Sequence, residues 1–203
     1  MQDRAHSCRP TLDEQIAVIG LLLEGLRHSF TRIAPYVILI LALLTEITVA
    51  KDVSFDGGSA TFTVPDVFTE LSKDEIQAYF PGGDPPERGF GTAGRTTIIA
   101  YHLTKFVIEE NNLPDVQESF TGTLNKQIRA IEWKQNDFVQ LANQKWLSLE
   151  VTSAAGGHDV HNIMLFTAHK GRMLVFYFDS TKADFPKMEK ALRDSIKSIS
   201  LRR

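Results

Sequence analysis

The residues with the most evident chemistry crowd one stretch: His158, Asp159, His161 and, further on, His169, with Gly156-Gly157 just before them. Imidazole nitrogens and a carboxylate form the kind of N/O donor set that suits zinc or copper. These four are therefore the candidate metal ligands. Side chains on a strand alternate between faces, so His158 and His161 can converge only if a turn separates them. Histidines on the surface of a turn are the simpler reading, and no cofactor is expected.

A second group surrounds the segment from Phe80 to Arg95, which is rich in proline and glycine. Tyr79, Phe80 and Phe90, with Arg88 and Arg95, are the residue types that dominate protein-binding hot spots. A loop of about fifteen residues is long enough to be functional, so these five are the candidate partner-binding residues. The simpler reading is that the rings tuck under the loop and fasten it. The same segment contains Gly89-Phe-Gly-Thr-Ala-Gly94, a formal G-x-G-x-x-G. A dinucleotide site needs a strand before that motif and a helix after it. Here a helix and two prolines precede it and a strand follows, so the reading is rejected. The sequence contains no G-x-S-x-G elbow, H-E-x-x-H pair, P-loop or EF-hand. No catalytic residue is assigned, and an enzyme is not expected.

The 203 residues suit one domain plus an additional segment. The 22 basic and 25 acidic residues give a net charge of −3, which argues against a dedicated nucleic-acid binder. An apolar content of 43% can supply a core. The single cysteine, Cys8, excludes an internal disulfide framework.

Residues 1–50 read as an N-terminal extension followed by a signal peptide. Ala34 to Leu44 is an apolar run, too short for a bilayer span of about 20 residues but of the length of a signal h-region. Arg27, His28 and Arg32 precede it, and Thr48-Val49-Ala50 is a small-x-small site. Cleavage is expected after Ala50, with translation starting near Leu26. Left uncut, the segment would be a marginal membrane anchor and the chain's one link to a membrane.

Residues 51–203 then form one domain. Val53 to Phe55 and Ala60 to Val64 read as a hairpin around Asp56-Gly57-Gly58. Ser72-Lys-Asp-Glu75 is a capping box opening a short helix. Thr96 to Val107 is an interior strand, with His102 a core residue. Pro114 opens a helix whose stripe is Val116, Phe120, Leu124 and Ile128. Ala130–Trp133 and Phe138–Leu141 read as two short strands turned at Asn136-Asp137. Three long strands follow between Lys145 and Ser180. A last helix, N-capped by Ser180 or Thr181, buries Phe185, Met188, Leu192, Ile196 and Ile199.

This order resembles the PsbP-like superfamily, including bacterial DcrB-type proteins. The resembling stretches are Ala60-Thr-Phe-Thr-Val-Pro65, Thr96-Thr-Ile-Ile-Ala100 before a helix, and Ile196-Lys-Ser-Ile-Ser-Leu201 after the meander. The resemblance covers about residues 53 to 201. It implies an α+β fold: an α/β/α sandwich around a mostly antiparallel sheet, with no shared catalytic residues. The expected role is that of an exported, non-catalytic protein of the bacterial cell envelope, periplasmic or secreted. It would bind another envelope protein as an assembly, accessory or stabilising factor. An immunity protein against a secreted toxin and a carrier of metal or a small ligand are the alternatives.

Overall fold

The computed structural model describes residues 50–81, 84–128, 130–155 and 158–202, the side chains of residues 155 and 158 excepted. The expected signal segment lies outside the described residues. None of the described helices is long and apolar enough to cross a membrane.

Period-two alternation builds the framework. The hairpin β1 (Ala50–Phe55) and β2 (Ala60–Pro65) turns inward Val53, Phe55, Ala60, Phe62 and Val64. Its turn holds Gly57 and Gly58 at φ of 66° and 86°, where a β-carbon would be strained. β3 (Phe68–Glu70) follows. Then comes α1 (Lys73–Tyr79), opened by the expected capping box: Ser72 Oγ accepts from the Glu75 amide and Glu75 Oε2 from the Ser72 amide. β4 is Arg88–Thr92 and β5 is Thr97–Val107. α2 covers Leu113–Gln127 with proline in its first turn. β6 (Glu132–Leu141), β7 (Gln144–Ala155), β8 (His158–His169) and β9 (Arg172–Thr181) form the meander. α3 (Phe185–Lys197) and the short β10 (Ser200–Leu201) close the chain.

Two antiparallel sheets result: β1-β2-β10, and a seven-stranded sheet in the order β3-β4-β5-β9-β8-β7-β6. One face of the large sheet, carrying Ile99, Tyr101, Ile163, Leu165, Phe176 and Phe178, packs on the hairpin and α3. The other face carries Leu147, Leu149, Val151, Met164, Phe166 and Val175 beneath α2. Ile98 and Ala100 extend it beneath α1. The architecture is the expected α/β/α sandwich, with a small sheet added to one outer layer. Phe62 joins hairpin to sheet, its ring 5.1 Å from Phe176 and 5.8 Å from Tyr101, both edge-on. Burying such a ring contributes about 1.5–3 kcal/mol.

Three expectations are corrected. The Phe80–Arg95 segment is not one open loop: it contains β4, paired with both β3 and β5. Gly89 and Gly91 leave room for Leu71, just before α1, which a β-carbon on them would meet at 2.9 and 3.1 Å. That close approach is the physical use of these two glycines. Next, β6 is continuous, with an irregularity between Trp133 and Gln135. Asn136 does not turn the chain, because Gln117 and Thr121 of α2 bind its side chain at 2.7 and 3.1 Å. Last, the N-cap of α3 is Asp184, whose amide donates to Thr181 Oγ1.

Candidate functional site

Along the α1/α2 face of β9, coverage fades toward the Ser180 end. Met173 and Val175 are buried; Tyr177 and Asp179, two and four positions beyond Val175, are only partly covered. Neighbouring strands place Asn162 of β8 opposite Asp179, and Ile98 of β5 opposite it on the other side. α1 stands over β4 and β5 and α2 over β7 and β8, so this row lies in the gap between helices. The result is a cavity of about 450 Å³ lined by Tyr79, Arg95, Ile98, Val160, Asn162 and Asp179, with Thr96, Ser180 and Thr181 beside them. Its size falls in the range of small-ligand pockets, about 300–1,000 Å³.

Asp179 gives the cavity its chemistry. Asn162 Nδ2 donates to its Oδ1 at 2.6 Å. Burial pushes the carboxyl up to about 6, and only the Asn162 hydrogen bond opposes the rise. Tyr177, next along the strand face, is pushed up to about 12, first by burial and then by the charges of Asp179 and Asp84. Arg95 lines the cavity but is spent elsewhere: Nε on Glu75 Oε1 at 2.8 Å, Nη1 on Thr69 Oγ1 at 2.8 Å and the Gly91 carbonyl at 3.1 Å. Ser180 points to the opposite sheet face, where its hydroxyl meets Thr97 Oγ1 at 2.8 Å. It is therefore not arranged as a nucleophile for Asp179.

Of the five expected partner-binding residues, the structure gathers three. Tyr79 is 42% exposed, and its hydroxyl donates to the Arg95 carbonyl at 3.0 Å, tying α1 to the β4–β5 turn. Phe80 packs on Tyr177 at 5.2 Å between ring centres. Arg88 and Phe90 belong to the other sheet face. Phe90 is 1% exposed, packed against Phe62 in the main core, so it is not a surface aromatic. Arg88 lies over the Phe90 ring and grips Glu70 through two hydrogen bonds of 2.6 and 2.8 Å. Parity decides the split: residues 88 and 90 share one face of β4, and Gly89 and Gly91 the other.

The expected metal ligands are dispersed. His158 and His161 lie within one strand with no turn between them. His161 and His169 are eight residues apart on β8, about 26 Å at the rise of a strand. His161 Nε2 pairs with Glu150 at 2.7 Å, its ring stacked on Phe185. Glu150 is also held by Arg193 at 2.8 and 2.9 Å; burial raises its carboxyl, but Arg193 and His161 outweigh that and hold it below the usual range. His169 meets Asp56 and Ser59 at 3.1 Å, fastening the hairpin turn to the β8–β9 turn. Asp159 pairs with Lys182 at 3.7 Å. Among the described residues, no three histidine, cysteine or acidic side chains are placed to hold a metal ion. His102, as expected, is a core residue, 3.5 Å from Asp84.

The sequence did carry one sign of Asp179: an acidic residue ending the apolar run Met173 to Phe178, in phase with Val175 and Tyr177.

No protein-family model matches the sequence, and no curated protein does. Solved structures do match. Cyanobacterial PsbP (CyanoP) from Synechocystis superposes with a TM-score of 0.57 at 14% identity, over 77% of this chain and 95% of that one. The Ran-binding protein Mog1p of Saccharomyces cerevisiae superposes with a TM-score of 0.51 at 12% identity, over 76% of this chain and 96% of that one. The chain has the PsbP-like fold. At such identities the likeness concerns the fold alone.

Proposed function

We propose that this protein is an exported, non-catalytic component of the bacterial cell envelope that binds another protein through the end of the sheet formed by Tyr79, Arg95 and the Asp179 cavity. The observation that carries the reading is the cavity itself: a preformed recess with a carboxylate at its floor and an exposed aromatic at its rim. Concave sites with a few placed polar groups are where recognition concentrates, and tyrosine at a rim contributes contact area at low entropy cost. The description of Mog1p as Ran-binding is consistent with a binding role on this fold. The apolar Ala34 to Leu44 run supports export.

Site-specific photo-crosslinking in native envelopes tests this. A photoreactive residue at position 79 should give a discrete adduct, and one at Lys190, exposed on α3 across the sheet, should not. Equal labelling from both positions, or from neither, would overturn the assignment of the surface.

A further inference from the structure

We propose that the Asp179 cavity is a binding site for an organic cation, an ammonium or guanidinium group carried on an apolar stem. The proposal deepens the binding reading and rests on it for the source of the ligand: the arginine or lysine side chain of the partner.

The walls and the floor of the cavity have opposite characters. Ile98, Val160 and the Tyr79 ring give the stem apolar surface. The floor offers acceptors: the Asp179 carboxylate, with Asn162 the one residue hydrogen-bonded to it among the described residues. Asn162 spends its donor on Asp179, and its own oxygen makes no hydrogen bond within the described residues. Asp179 has no ion pair among those residues, whereas Glu70, Glu75, Glu150 and Asp56 are each paired with an arginine or lysine. Arg95, the cation at the rim, is paired with Glu75 instead, with Nε on Glu75 and Nη1 on Thr69 and the Gly91 carbonyl. A half-buried carboxylate without a cation is unfavourable when ionised, and burial duly raises its pKa. A cation supplied from outside removes that penalty and forms charge-assisted hydrogen bonds, roughly twice as strong as neutral ones. An anion would meet the carboxylate, and a wholly apolar ligand would desolvate it without recompense.

Because the cation needs the ionised acid, binding should weaken as pH falls below about 6. The titratable and charged groups around Asp179 are Tyr177 on its own strand, Tyr79 on α1, Arg95 on the β4–β5 turn, and Asp84 beyond Tyr177. Tyr177, pushed up to about 12, gains no charge over that interval.

The test titrates the full chain with n-butylguanidinium and with its neutral isostere n-butylurea, following side-chain and backbone amides by NMR. Saturable shifts at Asn162 and around Asp179 with the guanidinium, and much weaker ones with the urea, are expected. Asp179→Asn should weaken the guanidinium about tenfold or more, the worth of one hydrogen bond to a charged group. Equal response to the two probes, no saturation, or unchanged affinity in Asp179→Asn would overturn the proposal. The comparison of probes on the unaltered chain needs no variant to fold.

The crosslink at position 79 separates this claim from the broader one. If n-butylguanidinium added before irradiation suppresses the adduct, the partner's basic side chain occupies the cavity. If the guanidinium binds and no adduct forms, the site holds a free small cation and the protein-binding reading fails alone. If the adduct forms and no guanidinium binds, the cation proposal fails and the binding surface stands.

Discussion

Asn162 and Asp179 face each other across the β8–β9 ladder, and the amide of one donates to the carboxylate of the other at 2.6 Å. Seventeen residues separate them in sequence. In the fold they form the polar floor of a recess whose walls are otherwise largely apolar. One hydrogen bond does not offset the desolvation of a carboxylate, and its acidity shows this.

The first prediction follows from the sign of that shift. The folded state holds the Asp179 proton more tightly than the unfolded chain between the ordinary value of 3.8 and about 6. Stability therefore falls as pH rises through that window. Asp179→Asn removes the penalty. It should raise the melting temperature at pH 7 and leave it unchanged at pH 3.5. The gain is at most about 3 kcal/mol, at 1.36 kcal/mol for each pH unit, and nearer 1 given the carboxylate's partial exposure. Thermal melts at the two pH values check it; a lower melting temperature at pH 7 would contradict it.

Phe90 offers a second test. Its ring belongs to the main core, edge-on to Phe62 at 6.2 Å. Phe90→Ala should cost about 3–5 kcal/mol, as large aromatic truncations in cores do. Urea unfolding measures this. A stable variant with impaired partner capture would restore Phe90 to the binding surface.

A third concerns the hairpin clamp. Asp56 accepts from Lys170 at 2.9 Å, from Ser59 at 2.6 Å and from His169 at 3.1 Å, and Lys170 is the largest cause of its pKa falling to about 2. That stability is present above about pH 4 and is lost as pH falls toward 2. Asp56→Asn keeps a residue that tolerates the φ of 48° found there. It should destabilise the protein by about 1–2 kcal/mol at pH 7, a difference that shrinks as pH falls from about 4 through 2. Hydrogen exchange should show β1 and β2 opening first.

The fourth concerns α3. Arg193 lies against Glu150, whose side chain is 8% exposed. Arg193→Ala leaves that carboxylate with His161 alone. The expected cost is about 2–3 kcal/mol, below the roughly 3–5 kcal/mol of a fully buried pair because Arg193 is itself 35% exposed. Arg193→Lys should recover only part of it, since lysine lacks the two-pronged geometry.

By itself, the sequence determined what depends on local pattern. The near-continuous apolar runs Ile163 to Phe166 and Met173 to Phe178, set off by tight turns, marked the long core strands. Ser72 and Glu75 set the start of α1, and the four-residue spacing from Val116 to Leu124 set the face α2 buries. Those patterns fixed the order of elements, because period and capping are properties of neighbouring residues; the α/β/α class followed from the resemblance of that order to the PsbP-like superfamily. Other features depended on contacts between distant residues. β4 needed partners on both sides before its Gly-Phe-Gly run could be a strand. Asn136 became a strand residue because α2 satisfied its side chain. Parity within β4 sent Arg88 and Phe90 away from Tyr79 and Arg95, and a single long β8 kept His161 from His169. The Asp179 cavity is the clearest case. Its residues come from α1, the β4–β5 turn, β5, β8 and β9. Only sheet register and the gap between two helices bring them together, and neither is written in any one stretch of the chain.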